Sequence, residues 1–85
     1  MKKNILILLV DQRRSSAQKI QEILTNNGCL IKTRIGLHDG VLDKCSDHGL
    51  IILELVGKYE EIKGLEGSLA SLLGVSTRLV EISPK

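Results

Sequence analysis

Two stretches of the chain are short aliphatic runs. One is Ile5 to Val10 within "NILILLV"; the other lies within "GLIILELVG" and is interrupted only by Glu54. Runs of this length bounded by polar residues are the pattern of strands buried on both faces. Two further stretches alternate. "CLIKTRI" sets Leu30, Lys32 and Arg34 against Ile31, Thr33 and Ile35, and "VSTRLVEI" sets Ser76, Arg78 and Val80 against Val75, Thr77 and Leu79. Both read as half-exposed strands. Two segments carry a helical period instead. In "DQRRSSAQKIQEILTNNG", Ala17, Ile20 and Leu24 form one stripe with Ile23 at its border, and Gln18, Lys19, Glu22 and Asn26 lie opposite. Ser15 with Gln18 is a capping-box pattern, and Gly28 suits a left-handed stop. In "KYEEIKGLEGSLASLLG", Ile62, Leu65, Leu69, Leu72 and Leu73 share a face. Glu60 and Glu61 sit near the positive N-terminus of that helix, and Gly74 ends it.

The order is β-α-β-β-α-β over residues 1–85, one domain. Right-handed crossovers then predict an α+β, ferredoxin-like sandwich: a four-stranded antiparallel sheet in the order 4-1-3-2 with both helices on one face. In that order the first and third strands are central, and these are the most aliphatic ones. The second and fourth are edges, and these alternate.

Two helices cover one face of a sheet. In the first strand Ile5, Ile7 and Leu9 oppose Leu6, Leu8 and Val10; in the third, Ile51, Leu53 and Leu55 oppose Leu50, Ile52 and Glu54. One set from each strand is left without cover. A patch of that kind amounts to several hundred Å², more than a soluble monomer usually exposes. At roughly 25 cal/mol per Å² it forfeits on the order of 5–10 kcal/mol if left wet. Ile5, Ile7, Leu9, Ile51 and Leu53 are therefore expected to form the interface of a homo-oligomer, a dimer or tetramer, or to enclose a ligand between subunits. Gly64, Gly67, Ser68 and Ser71, opposite the leucine stripe of the second helix, read as a solvent face or, alternatively, as a smooth surface where a neighbouring backbone comes close.

Composition narrows the partners. The chain has 85 residues, a net charge of +2, one Tyr and no Phe or Trp. Aromatic platforms for stacking bases are missing and the charge is small, so no direct nucleic-acid binding is expected. "MKKNILILLV" imitates a secretory start, but Asp11 ends the apolar run and no small-residue cleavage site follows. A cytoplasmic protein without a membrane partner is expected, with Cys29 and Cys45 as reduced thiols.

Candidate chemistry gathers in "TRIGLHDGVLDKCSDHG", Thr33 to Gly49. His38, Cys45 and His48, with Asp47 beside them, could hold a transition metal ion, because Cys-x-x-His is a ligand spacing and imidazole with thiolate suits zinc, nickel or iron. Structural zinc sites normally show paired clusters, and one pair is present here. A polar loop whose Asp, Ser and Gly serve turn geometry remains the alternative, as does redox sensing by Cys45. Arg34 could meet an anionic ligand at a subunit boundary, with Gly36 and His38 beside it, or could guard an edge strand; Gly36 reads as a bulge or close backbone approach. No catalytic residues are assigned: the histidines and Cys45 share one loop, a poor platform for a nucleophile and base. Gly64-x-x-Gly67 lies inside a helix rather than ahead of one.

The layout resembles that of ACT-like regulatory domains. "RIG" at Arg34–Gly36, "GLIILELVG" and "EIKGLEGSLASLLGVSTRLVEI" resemble the iron-only hydrogenase system regulator family over nearly the whole chain. Its members are small stand-alone domains with a fold similar to the C-terminal domain of nickel-responsive regulators. The resemblance implies a regulatory or small-ligand-sensing domain with a small-molecule effector, and not turnover. Amino-acid-binding ACT domains usually carry a glycine between the first strand and first helix; "DQRRSS" has none, so that property is not carried over. The rival readings are a metal-sensing domain using the 38–48 loop and a structural interaction module without ligand.

Overall fold

The computed structural model describes residues 2–11, 13–38 and 48–85; for residues 13–15, 37 and 38 it describes the backbone. The elements are β1 (Lys3–Val10), α1 (Arg13–Asn26), β2 (Ile31–His38), β3 (Gly49–Leu55), α2 (Tyr59–Ala70) and β4 (Val75–Ile82). They form one antiparallel sheet in the order β2-β3-β1-β4. This is the expected βαββαβ topology, with the two aliphatic runs in the centre and the alternating strands at the edges.

The core explains why the helices choose one face. Leu6, Leu8 and Val10 of β1, Leu53 and Leu55 of β3 and Val75 of β4 meet Ile20 and Leu24 of α1 and Ile62, Leu65 and Leu69 of α2, all buried. Period-2 positions on the strands thus face period-3.6 stripes on the helices, Ile20 and Leu24 from the first predicted stripe and Ile62, Leu65 and Leu69 from the second. Ile23, Leu30, Ile51, Leu72 and Leu79 close the edges of this cluster.

Local details depart from the sequence reading where tertiary contacts decide. Helix α1 begins at Arg13, so Ser15 lies in its first turn and is not its cap. Ser16 is buried instead, and its hydroxyl donates to the Leu73 carbonyl at 2.8 Å, tying the start of α1 to the exit of α2. After α1 the chain enters a 3-10 turn, Gly28–Leu30, so β2 starts at Ile31 rather than Cys29, and Gly28 is not left-handed. Helix α2 ends at Ala70. Beyond it the helical phase no longer applies, and Leu73, expected on the buried stripe, is 74% exposed. Gly74 is left-handed, with φ +75°, and turns the chain into β4.

The antiparallel register corrects the expected interface. Cross-strand partners share a face, and Leu6 pairs with Leu53 while Ile7 pairs with Ile52. Ile51 and Leu53 therefore lie with Leu6 and Leu8 under the helices. Leu53 is 0% exposed and Ile51 packs against the core, so neither belongs to the open face with Ile5, Ile7 and Leu9. The β3 residues beside those three are Leu50, Ile52 and Glu54.

Candidate functional site

The face opposite the two helices is built, among the described residues, from the strands. Its spine is Ile5, Ile7 and Leu9 of β1 against Glu54, Ile52 and Leu50 of β3. Ile35 of β2 pairs with Ile52, and Val80 of β4 pairs with Ile5. Leu9, Ile35 and Ile82 are 56%, 48% and 56% exposed. Ile5, Ile7, Leu50, Ile52 and Val80 are partly exposed. The aliphatic surface thus runs across all four strands.

One carboxylate interrupts it. Glu54 accepts hydrogen bonds from Lys3 Nζ at 3.1 Å and from Thr33 Oγ1 at 3.5 Å, linking β1, β3 and β2 on that face. The Lys3 hydrogen bond is the largest influence on this carboxyl; partial desolvation opposes it, and the charges of Lys3 and Lys32 and the Thr33 hydroxyl assist. The net result holds Glu54 below its ordinary pKa.

The loop candidates separate. Cys45 and Asp47 lie outside the described residues, as does the side chain of His38, whose backbone pairs with Gly49 at the end of β2. His48 Nε2 lies 2.7 Å from Asp11 Oδ1, and the Asp11 backbone N–H donates to the Gly74 carbonyl at 2.7 Å. His48 is thus held beside the β1 exit. Among the described residues no three potential ligands cluster.

Arg34 and Gly36 also have definite settings. Arg34 pairs with Leu53, and its Nη2 donates to Gln21 Oε1 of α1. The edge strand is thereby fastened to a helix. A Cβ at Gly36 would meet nothing within 4 Å, so no backbone approaches closely there; the register shift in β2 falls between Ile31 and Thr33. Close approach occurs at Gly57, whose φ is +118° and whose Cβ would lie 2.9 Å from Leu30 Cδ2.

Sequence reasoning missed a second feature at the opposite end of the sheet from the 38–48 connection. A cleft of about 680 Å³ opens between the start of β1, the end of β4 and the first turn of α2. Leu55 and Ile62 line it from the core, Tyr59 stands at its side, and Lys2 and Glu81 form an ion pair at 3.6 Å on its rim. Asn4 lines it as well, and its Oδ1 is buried without a hydrogen-bond partner among the described residues. Asn4 was detectable in the sequence: it is one residue ahead of the aliphatic run and in phase with Leu6 and Leu8.

Neither a protein-family model nor a curated protein matches the sequence. Solved structures do match. The uncharacterised protein TM1266 from Thermotoga maritima superposes with a TM-score of 0.81 at 26% identity, over 98% of this chain and 100% of its own. CPII, a nitrogen regulatory PII-like protein from Thiomonas intermedia K12 bound to ADP, AMP and bicarbonate, gives a TM-score of 0.60 at 11% identity, over 100% of this chain and 97% of that one. A formyltetrahydrofolate deformylase from Pseudomonas putida KT2440 gives 0.60 at 15% identity, over 96% of this chain but 29% of the enzyme. Together with the strand order and the one-sided helix layer, these matches place the chain in the ferredoxin-like fold shared by PII-like and ACT-like domains.

Proposed function

We propose that this protein is a regulatory domain that senses a small ligand and self-associates through its uncovered sheet face, working in the cytoplasm without turnover. The carrying observation is the aliphatic surface around Ile7 and Ile52, continuous across the sheet and covered by neither α1 nor α2. Covering it with a second copy removes apolar surface that one chain cannot hide. The corrected interface is Ile5, Ile7, Leu9, Ile35, Leu50 and Ile52. Its test is sedimentation velocity at micromolar concentration: a dimer or tetramer supports the proposal, and a purely monomeric species removes it.

The regulatory part draws on fold likeness to a PII-like protein, and a link to an iron-only hydrogenase system draws on the resemblance of the segments "RIG", "GLIILELVG" and "IKGLEGSLASLLGV" to that regulator family. Genes for iron–iron hydrogenase maturation proteins beside this one would support that link. Melting-temperature shifts across amino acids, nucleotides and divalent metals test the sensing role. A second reading, metal sensing, draws on the pairing of His38 with Gly49, which brings the backbone of His38 next to that of His48. Native mass spectrometry after stoichiometric zinc or nickel addition tests it, and an unchanged mass ends it.

A further inference from the structure

Asn4 is the polar residue that the core side of the sheet does not explain. It pairs with Leu55 of β3 and Glu81 of β4, and it continues the Leu6–Leu8 row back to the start of β1. Its side-chain oxygen is buried and accepts no hydrogen bond from the described residues. A buried acceptor without a protein donor is uncommon in a native fold and calls for a donor from outside it. The cleft beside it is of ligand size, open to solvent, and lined by polar and apolar groups in about equal measure. Leu55 and Ile62 supply its apolar floor, Lys2, Asn4 and Glu81 its polar side, and Tyr59, 56% exposed, stands beside it.

A carboxamide offers one acceptor and a donor pair on adjacent atoms. The complementary edge is an amino group next to a ring nitrogen, which is how asparagine reads adenine. An aromatic side chain offers a flat face on which such a ring stacks. Glu81 at the rim can accept from sugar hydroxyls, and Lys2 supplies a cation beyond it. We infer that this cleft binds one amino-substituted nitrogen heterocycle of the adenine type, its amino group donating to Asn4 Oδ1, its ring nitrogen accepting from Asn4 Nδ2, and its ring lying against Tyr59. No hydrogen bond from the described residues holds the carboxamide oxygen inward, so rotation about the terminal torsion can turn it toward the ligand. A single tyrosine accommodates one base and not a strand, in keeping with the small net charge. The inference rests on the ligand-sensing reading, whose effector class it names, and is independent of assembly through the sheet face.

The test is an amide NMR titration with adenosine and, in parallel, with purine riboside, which lacks the amino group. Adenosine is expected to move the signals of Val56, Gly57 and Tyr59 and to leave those of Gln18 and Gln21 in place. Purine riboside is expected to bind roughly tenfold or more weakly, the usual scale for losing one arm of a bidentate base contact. Asn4→Leu is expected to abolish binding while melting at or above the wild-type temperature, because it removes an unsatisfied acceptor. Tyr59→Ala, at an exposed position, is expected to weaken binding without loss of fold. No shifts at millimolar adenosine, equal binding of the two nucleosides, or full affinity in Asn4→Leu would each overturn the assignment. If another ligand class raises the melting temperature while adenosine leaves the cleft signals unmoved, this site falls and the sensing reading stands. If no ligand does either, both fall.

Discussion

Ile7 of β1 and Ile52 of β3 are cross-strand partners on the face of the sheet that neither helix covers, and Ile35 of β2 extends the pair to a row of three. Each is at least partly exposed in the single chain. Replacing Ile52 by Glu puts a charge in the middle of this row, where a second copy would have to bury it without a partner. Ile52→Glu is expected to weaken self-association at least roughly 100-fold, since an uncompensated buried charge costs several kcal/mol. The monomer keeps its fold because the helix-covered core is untouched. Sedimentation velocity with circular dichroism on the same samples checks both halves.

Leu53, one residue along β3, points the other way and is fully buried beneath the helices. Leu53→Ala is expected to cost about 2–5 kcal/mol of folding stability, read by urea denaturation, because the site cannot collapse around the lost methyls. Its dissociation constant, measured where the variant remains folded, should stay near wild type. The two neighbouring substitutions thereby separate the core from the interface.

That contrast also shows how far the sequence could be read. Topology was legible because the two central strands are unbroken aliphatic runs and the two edges alternate. Which face of β3 lies open was not, because both faces carry Leu and Ile, and only the register Leu6–Leu53 settles it. One signal was available: Glu54 is in phase with Leu50 and Ile52, and a lone carboxylate in an aliphatic strand favours the wetter side. The Asn4 cleft was illegible for a different reason. It needs the end of β4 and the first turn of α2 brought beside β1, and no local pattern encodes that meeting. Exposure of Leu73 follows from where α2 stops, which depends on the left-handed turn at Gly74 and on Ser16 reaching the Leu73 carbonyl.

Two glycines give opposite expectations. Gly57 has φ +118°, and a Cβ there would press on Leu30 Cδ2 at 2.9 Å. Gly57→Ala is expected to destabilise by about 1–3 kcal/mol through backbone strain. Gly64, within α2, has nothing within 4 Å of its Cβ position. Gly64→Ala is expected to stabilise by roughly 0.5–1 kcal/mol, since alanine loses less backbone freedom in a helix. Thermal melts of the two variants check the signs. A destabilised Gly64→Ala would point to a neighbouring backbone packed against α2 in the assembled protein.

Glu54 links the stability of the fold to pH. Its carboxyl is held below the ordinary range chiefly by the Lys3 hydrogen bond, so the folded chain binds this proton less readily than the unfolded one. A depressed carboxylate contributes stability that is fully present above the unfolded value, roughly pH 4.3, and is lost as pH falls through the lower folded value. Stability measured by denaturant titration should therefore fall with acidification below about pH 4.3. Glu54→Gln keeps the side-chain shape but has no proton to gain, so its stability should fall less steeply over the same interval. Because Lys3 and Glu54 both sit on the uncovered face, the effect should also appear in association: wild type should lose oligomer more sharply than Glu54→Gln as the pH is lowered. Equal acid slopes for the two proteins would show that the Lys3–Glu54 contact contributes nothing to either equilibrium.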